Sequence, residues 1–300
     1  MTAAATLLHF DDETAAAHRL ADAAGLRPAC IERHRFPDGE VRLRLPPVLA
    51  EPVVLLRTLD QPDPKLVELL LAARTARALG APHLTLVAPY LAYMRQDIAF
   101  NPGEAVSQRI VGGFLASLFD AVITVDPHLH RVATLHEAVP ARQALAVSAA
   151  PLLADLIAER RPGALLVGPD AESAQWVAQA AARHGFDHAV CTKVRRGDHD
   201  VSIELPPVGV ARRAVVILDD VASTGHTVAG AARLLLAAGA ASVDVAVTHA
   251  LFAGDALALM KGAGVSHIWS TDCIAHATNA VPVAPLLARA LGDLQAGRNT

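Results

Sequence analysis

Short apolar runs alternate with longer stretches of helical period along most of the chain, beginning with Val53 to Thr58, an amphipathic segment from Asp63 to Leu79, and His83 to Ala88. Continuous apolar runs suit strands buried on both faces, and such strands separated by helices build a parallel sheet. The segment from Asp63 carries clear helix signals: Asp63 as N-cap, Pro64 in the first turn, Leu66, Leu69, Leu70 and Ala73 at helical spacing, and Gly80 past the end. The alternation continues with a helix over Val106 to Leu118 feeding a strand Ala121 to Val125. A helix near Leu152 to Glu159 then precedes a strand Ala164 to Val167, and one near Ser173 to His184 precedes His188 to Thr192. The last third repeats the theme with strand Ala214 to Leu218, helix Thr227 to Ala238 and strand Ser242 to Val247.

A length of 300 residues exceeds what one core usually organises, so two α/β domains are expected. The Ala-rich stretch from Ala138 to Pro151 supplies the boundary, dividing the chain into 1–142 and 143–300. Hydrophobic residues at 53% against 19% charged support packed cores rather than disorder. Apolar runs of membrane-spanning length are all interrupted by a charge, a His or a Pro, and a net charge of −4 offers no basic field for nucleic acid. Asp11, Asp12 and Glu13 follow the start too closely for a secretory leader, and Cys30, Cys191 and Cys273 are scattered; both features predict a reducing, cytoplasmic location.

In an open α/β sheet the ligand crevice lies beyond the carboxyl ends of the strands. The residues there are Pro89 and Tyr90, then Asp126, Pro127 and His128, then Pro169 and Asp170, then Asp219 and Asp220. Polar residues and turns collect at strand ends in any fold, but four strands delivering acids, a His or a Pro to one edge favour a site. The sharpest element runs from Val216 through Asp219 and Asp220 to Ser223, Thr224, Gly225, His226 and Thr227: a buried strand, paired acids, and a small-residue turn opening a helix. Amides at such a turn, with its hydroxyls and the helix N-terminus, suit a phosphate monoester. The two carboxylates need hydroxyls or a divalent cation, so a sugar phosphate satisfies both demands. An acidic N-cap before an ordinary helix is the plainer reading.

That segment resembles the phosphoribosyl-pyrophosphate (PRPP) binding motif of type I phosphoribosyltransferases and ribose-phosphate diphosphokinases. Phe36-Pro-Asp38-Gly39-Glu40 and Pro89-Tyr90-Leu-Ala-Tyr93-Met-Arg95-Gln96-Asp97 are similar to segments of the diphosphokinases alone, and Asp126-Pro-His128, Pro169-Asp170 and Lys193-Val-Arg195 follow in the family's order. The resemblance, closest to the archaeal-type branch, implies two type I phosphoribosyltransferase-like domains, each a mainly parallel sheet flanked by helices. It implies transfer of the β,γ-diphosphoryl group of ATP to the C1 hydroxyl of ribose 5-phosphate, giving PRPP and AMP.

By the same resemblance, Lys193 and Arg195 are the catalytic cations. Phe36, Asp38, Gly39, Glu40, Arg95, Gln96 and Asp97 meet ATP. Arg195, Asp219, Asp220, Ser223, Thr224, Gly225, His226 and Thr227 hold ribose 5-phosphate, and His128 and Asp170 bind Mg2+. A homo-oligomer is also implied. On residues alone, Phe36 to Glu40 is equally a simple turn, and His128 with His130 is also a zinc-type pair, although no further nitrogen or sulfur ligands are spaced to complete it. Ile98, Ser223 and His226 depart from the common family pattern: Ser223 keeps a hydroxyl, while His226 either crowds the phosphate nest or adds a donor to it.

Overall fold

The computed structural model describes residues 5–195, 201–205 and 208–296, with the side chains of 193–195 and 201–203 outside that description. Two compact units emerge: residues 5–147 with 283–296, and residues 148–282.

In the first unit the chain runs β1 (Thr6–His9), α1 (Thr14–Ala24), β2 (Arg27–Cys30), β3 (Glu32–Arg35), β4 (Val41–Arg44), β5 (Val53–Leu56), α2 (Pro62–Ala78), β6 (Leu84–Ala88), α3 (Ser107–Leu118), β7 (Ala121–Val125), α4 (Leu135–Ala138) and β8 (Gln143–Val147). The second unit comprises α5 (Ala150–Arg160), β9 (Leu165–Gly168), α6 (Ala174–His184), β10 (His188–Val190), β11 (Thr192–Arg195), β12 (Val201–Glu204), β13 (Ala214–Ala222), α7 (His226–Ala237), β14 (Ser242–Ala250), α8 (Ala256–Gly262), β15 (Val265–Thr271) and β16 (Asn279–Val281). A final helix, α9 (Ala284–Ala296), packs on α1 in the first unit, so the last described segment does not belong with the second half as the expected division had it.

The two sheets repeat one plan. Their strand orders are β2-β1-β5-β6-β7-β8 and β10-β9-β13-β14-β15-β16, every pairing is parallel, and each unit adds a two-stranded antiparallel hairpin, β3–β4 or β11–β12. Side chains alternate between two packed layers. In the second unit Leu165, Val167, Val215, Ile217, Val243 and Val245 meet residues of α7 and α8, while Leu166, Val216, Leu218 and Ala246 meet those of α5 and α6.

Several boundaries differ from the periodicity. Helix α2 starts at Pro62 behind Gln61, whose φ is 51°, and Asp63 lies in the first turn, where its carboxylate accepts the Tyr93 hydroxyl instead of capping the helix. The expected strand His188 to Thr192 breaks at Cys191, where the chain leaves the main sheet for the hairpin. Strand β13 continues beyond Leu218 through the paired acids to Ala222.

At the carboxyl edge of the first sheet, Arg57 follows the wholly apolar β5 and is 1% exposed. Its guanidinium lies 4.5 Å from the Phe10 ring centroid and donates to Asp12 at 2.7 Å, to Glu13 at 3.2 Å and to Glu68 of α2. Arg33 of β3 donates to the other oxygen of Glu68 at 2.8 Å and to Asp11 at 2.6 Å. Carboxylates outnumber the two guanidiniums here, and burial pushes the Glu13 carboxyl up to about 7 against the opposing pull of Arg57 and the Thr58 amide.

Two predictions follow from packing and charge. A Cβ on Gly112 of α3 would lie 1.8 Å from the Ala138 carbonyl oxygen, whereas one on Gly113 meets nothing within 4 Å. Gly112→Ala should destabilise the protein by about 1–3 kcal/mol or more, and Gly113→Ala should stabilise it by about 0.5–1 kcal/mol; urea unfolding of both variants checks the contrast. Because the folded state holds the Glu13 proton more tightly than the unfolded chain, that group's contribution is full below about pH 4.5 and is lost as pH rises through about 7. Relative to Glu13→Gln, the wild type should therefore lose stability between these limits and no more above them, measured as unfolding midpoints from pH 4 to 9.

Candidate active site

In the second unit, β9 pairs only with Val215 to Ile217 of β13, whereas β14 continues alongside β13 to Ala222. The acids Asp219 and Asp220 thus sit on a strand extension that has outrun one neighbour, held by backbone pairing rather than by a loop. Asp220 is 2% exposed, and its amide donates to Asp219 Oδ1 at 3.0 Å. From the end of β9, Asp170 enters a 3-10 turn, Ala171 to Ser173, its carboxylate accepting the Glu172 amide at 3.1 Å. Burial, then the carboxylates of Asp220 and Asp170, push Asp219 well above the ordinary carboxylate range. Burial likewise raises the nearby Cys191 thiol to about 11, with Asp170 contributing. The three acids place hard oxygen donors, the type Mg2+ prefers, at one sheet edge without converging as ligands on a single ion.

Beyond β13, Ser223 and Thr224 form a bend and Gly225, with φ of 76°, opens α7. Glycine has no side chain to cap the helix, so the first-turn amides meet no capping group from that position. Two bonds hold the bend: the Phe252 amide to the Ala222 carbonyl and the Ala253 amide to the Ser223 carbonyl, each 3.0 Å. His226 is exposed at the first position of α7, while Thr227 is half-buried, so the imidazole stands at the rim of the nest. This turn and the Asp170, Asp219 and Asp220 cluster belong to the same unit and the same sheet edge. Lys193 and Arg195 are two positions apart on β11, opposite Ile203 and Val201 of β12; their side chains lie outside the described residues.

The remaining predicted residues belong to the first unit. Phe36 to Glu40 is the turn joining β3 and β4, closed by the Gly39 amide to the Phe36 carbonyl at 3.0 Å and the Phe36 amide to the Glu40 carbonyl at 2.8 Å. Asp38 accepts the Glu40 amide at 3.1 Å, and the exposed Phe36 ring meets His34 edge-on with centroids 4.7 Å apart. The turn presents both its apolar ring and its acids to solvent. After β6, Arg95 is exposed and Gln96 donates to the Ile98 carbonyl at 3.1 Å, but Asp97 is buried and accepts from Arg131 at 3.2 Å. Asp97 therefore braces the loop from within, and Arg131 is a participant that motif reading missed. After β7, Asp126 takes the unusual φ of 37° and leads to His128, whose Nε2 lies 2.5 Å from that of His130. The pair offers two convergent imidazole nitrogens.

Two α/β units with a PRPP-type acid and glycine turn define a phosphoribosyltransferase-fold protein. Comparisons with known proteins narrow this. The profile for the N-terminal domain of ribose phosphate pyrophosphokinase matches residues 5–118, and that for the phosphoribosyl transferase domain matches residues 137–274. A ribose-phosphate pyrophosphokinase of Methanopyrus kandleri is 37% identical over 280 residues, covering 92% of this chain and 94% of its own. One of Halobacterium salinarum is 34% identical over 289 residues, covering 95% of this chain and 100% of its own. The crystal structure of the phosphoribosylpyrophosphate synthetase of Mycobacterium smegmatis shares the fold, with a TM-score of 0.80, 21% identity, and coverage of 98% of this chain and 99% of that one. The chain belongs to the ribose-phosphate pyrophosphokinase family.

The turn itself yields a prediction. A Cβ on Gly225 would adopt a disfavoured φ and stand 3.2 Å from the Ala256 carbonyl oxygen. Gly225→Ala should cost about 1–3 kcal/mol of stability and shift the first turn of α7, weakening binding of inorganic phosphate; denaturation and calorimetric titration measure the two effects.

Proposed function

We propose that the protein joins ATP and ribose 5-phosphate into PRPP and AMP. The observation that carries this reading is the strand extension bearing Asp219 and Asp220, which runs directly into the Gly225 turn and α7 within a chain of the ribose-phosphate pyrophosphokinase family. Amides of the turn and the hydroxyls of Ser223, Thr224 and Thr227 receive the 5-phosphate. The carboxylates of Asp219 and Asp220 accept hydrogen bonds from ribose hydroxyls, fixing the sugar for reaction at its C1 oxygen.

That oxygen gives up its proton to solvent and attacks the β-phosphorus of ATP; the bond from the bridging oxygen to the β-phosphorus breaks and AMP leaves with the electron pair. Such a transfer asks for alignment and charge neutralisation rather than covalent help. Lys193 and Arg195 are assigned to the transferring oxygens. Phe36, Asp38, Gly39, Glu40, Arg95 and Gln96 are assigned to the nucleotide, with Asp97 supporting that loop. Asp170 and His128 are each assigned to magnesium, which when bound would supply positive charge at the triphosphate. The protein is read as a cytoplasmic homo-oligomer. None of the described helices is long and apolar enough to cross a bilayer.

Purified protein given ATP, ribose 5-phosphate and Mg2+ should release AMP and PRPP in equal amounts, and excess chelator should stop it. Lys193→Ala should slow turnover by about 10²–10³, the scale of a lost charge-stabilising donor. Absence of AMP from the wild type under these conditions would overturn the assignment.

A further inference from the structure

The repeated plan gives the main elements of the first unit counterparts in the second. Each unit has a three-residue 3-10 turn, Asp11–Glu13 or Ala171–Ser173, followed by an eleven-residue helix, α1 or α6. Each helix ends at a left-handed glycine, Gly25 or Gly185, and a hairpin strand follows, β3 or β11. The numbering offset is 160 for the 3-10 turn, the helix, its glycine and both hairpin strands. Arg33 and Arg35 therefore correspond to Lys193 and Arg195. Strand register adds a second correspondence: Thr6, opening β1, pairs with Val53, and Leu165, opening β9, pairs with Val215, so Arg57 falls where the second unit has Asp219.

In the first unit these cations meet a carboxylate of the same chain. Glu68 of α2 is 1% exposed and receives both Arg57 and Arg33, with Arg35 Nη2 at 3.8 Å. Arg35 also donates to the Gly39 carbonyl, in the turn between Phe36 and Glu40, at 3.3 Å. A two-stranded hairpin is marginal by itself. This one is tied at its root by Arg33 and at its turn through Arg35, and both ties reach Glu68.

We propose that Glu68 is a positioning residue for nucleotide binding: it supplies within the chain the negative charge that holds the cationic hairpin, and so fixes the Phe36 to Glu40 turn in its binding form. This rests on assigning that turn to ATP. Arg33 and Arg35 thereby keep the hairpin scaffold of the substrate cations while serving the other substrate's loop.

The test is calorimetric binding of Mg-ATP, and separately of ribose 5-phosphate, to full-length wild type, Glu68→Gln, Arg35→Met and Arg35→Lys, with turnover assayed alongside. Glu68→Gln and Arg35→Met should weaken Mg-ATP by about five- to tenfold, roughly 1–1.4 kcal/mol, and leave ribose 5-phosphate within about twofold; Arg35→Lys should recover part of the loss. Arg35 is partly exposed, so its variants keep the test open should Glu68→Gln fail to fold. Equal weakening of both ligands, unchanged Mg-ATP binding, or no Mg-ATP binding by the wild type overturns the proposal. A wild type that binds both ligands without making AMP overturns the reaction assignment and leaves the binding comparison to decide this one.

Discussion

Charge gathered at the carboxyl edge of a parallel sheet must be neutralised, and the two units meet that demand in opposite ways. In the first, a buried guanidinium, Arg57, lies among Asp12, Glu13 and Glu68, so cation and anions come from one chain. In the second, burial and then the neighbouring carboxylates of Asp220 and Asp170 hold Asp219 above its ordinary range. Removing one partner of a buried ion pair leaves an uncompensated charge and costs about 3–5 kcal/mol, which makes the first arrangement a fixed part of its fold. A cluster of like charges stores the opposite tendency: a cation or a set of hydroxyl donors that arrives is stabilised by the repulsion it relieves.

One backbone plan thus supports both outcomes. Strand order, parallel pairing, the 3-10 turn before a helix and the glycine that ends it are shared. These features follow from local chemistry and two-sided burial, which tolerate wide exchange of side chains as long as apolar positions stay apolar. The edge residues do no packing work of that kind. They are free to invert in charge, as Arg57 against Asp219 does, and function follows the edge rather than the fold.

The same distinction explains what was legible in the sequence. Val53–Leu56, Leu84–Ala88 and Ala121–Val125 announced themselves because they are buried on both faces, and the 219–227 turn did so because its acids, hydroxyls and glycine are contiguous. No element before Val53 was predicted. Arg27–Cys30 contains a proline and lies at the sheet edge, the hairpin strands alternate charges with few apolar residues, and α1 buries mainly alanines, which contrast weakly with its exposed face. The Arg57 and Glu68 pair escaped because it joins a strand end to a helix residue that reads as solvated when taken alone. Its signal was a charged residue immediately after four apolar ones, at the edge where acids elsewhere marked a site.

Why the hairpin of the first unit should be secured by ions rather than by apolar contact follows from its composition. Its inward positions offer Val41 and Leu43 beside Arg33 and Arg35, too little apolar area to hold two short strands against thermal motion. Guanidinium to carboxylate bonds add what apolar contact lacks, a preferred direction at each end of the bond. An apolar hairpin of equal stability could slide or rotate by an ångström with little change in energy. One fixed at Asp11 and Glu68 cannot do so without stretching charge-assisted bonds of 2.6 and 2.8 Å, and placement to within about an ångström is what a loop that orients a reacting nucleotide requires.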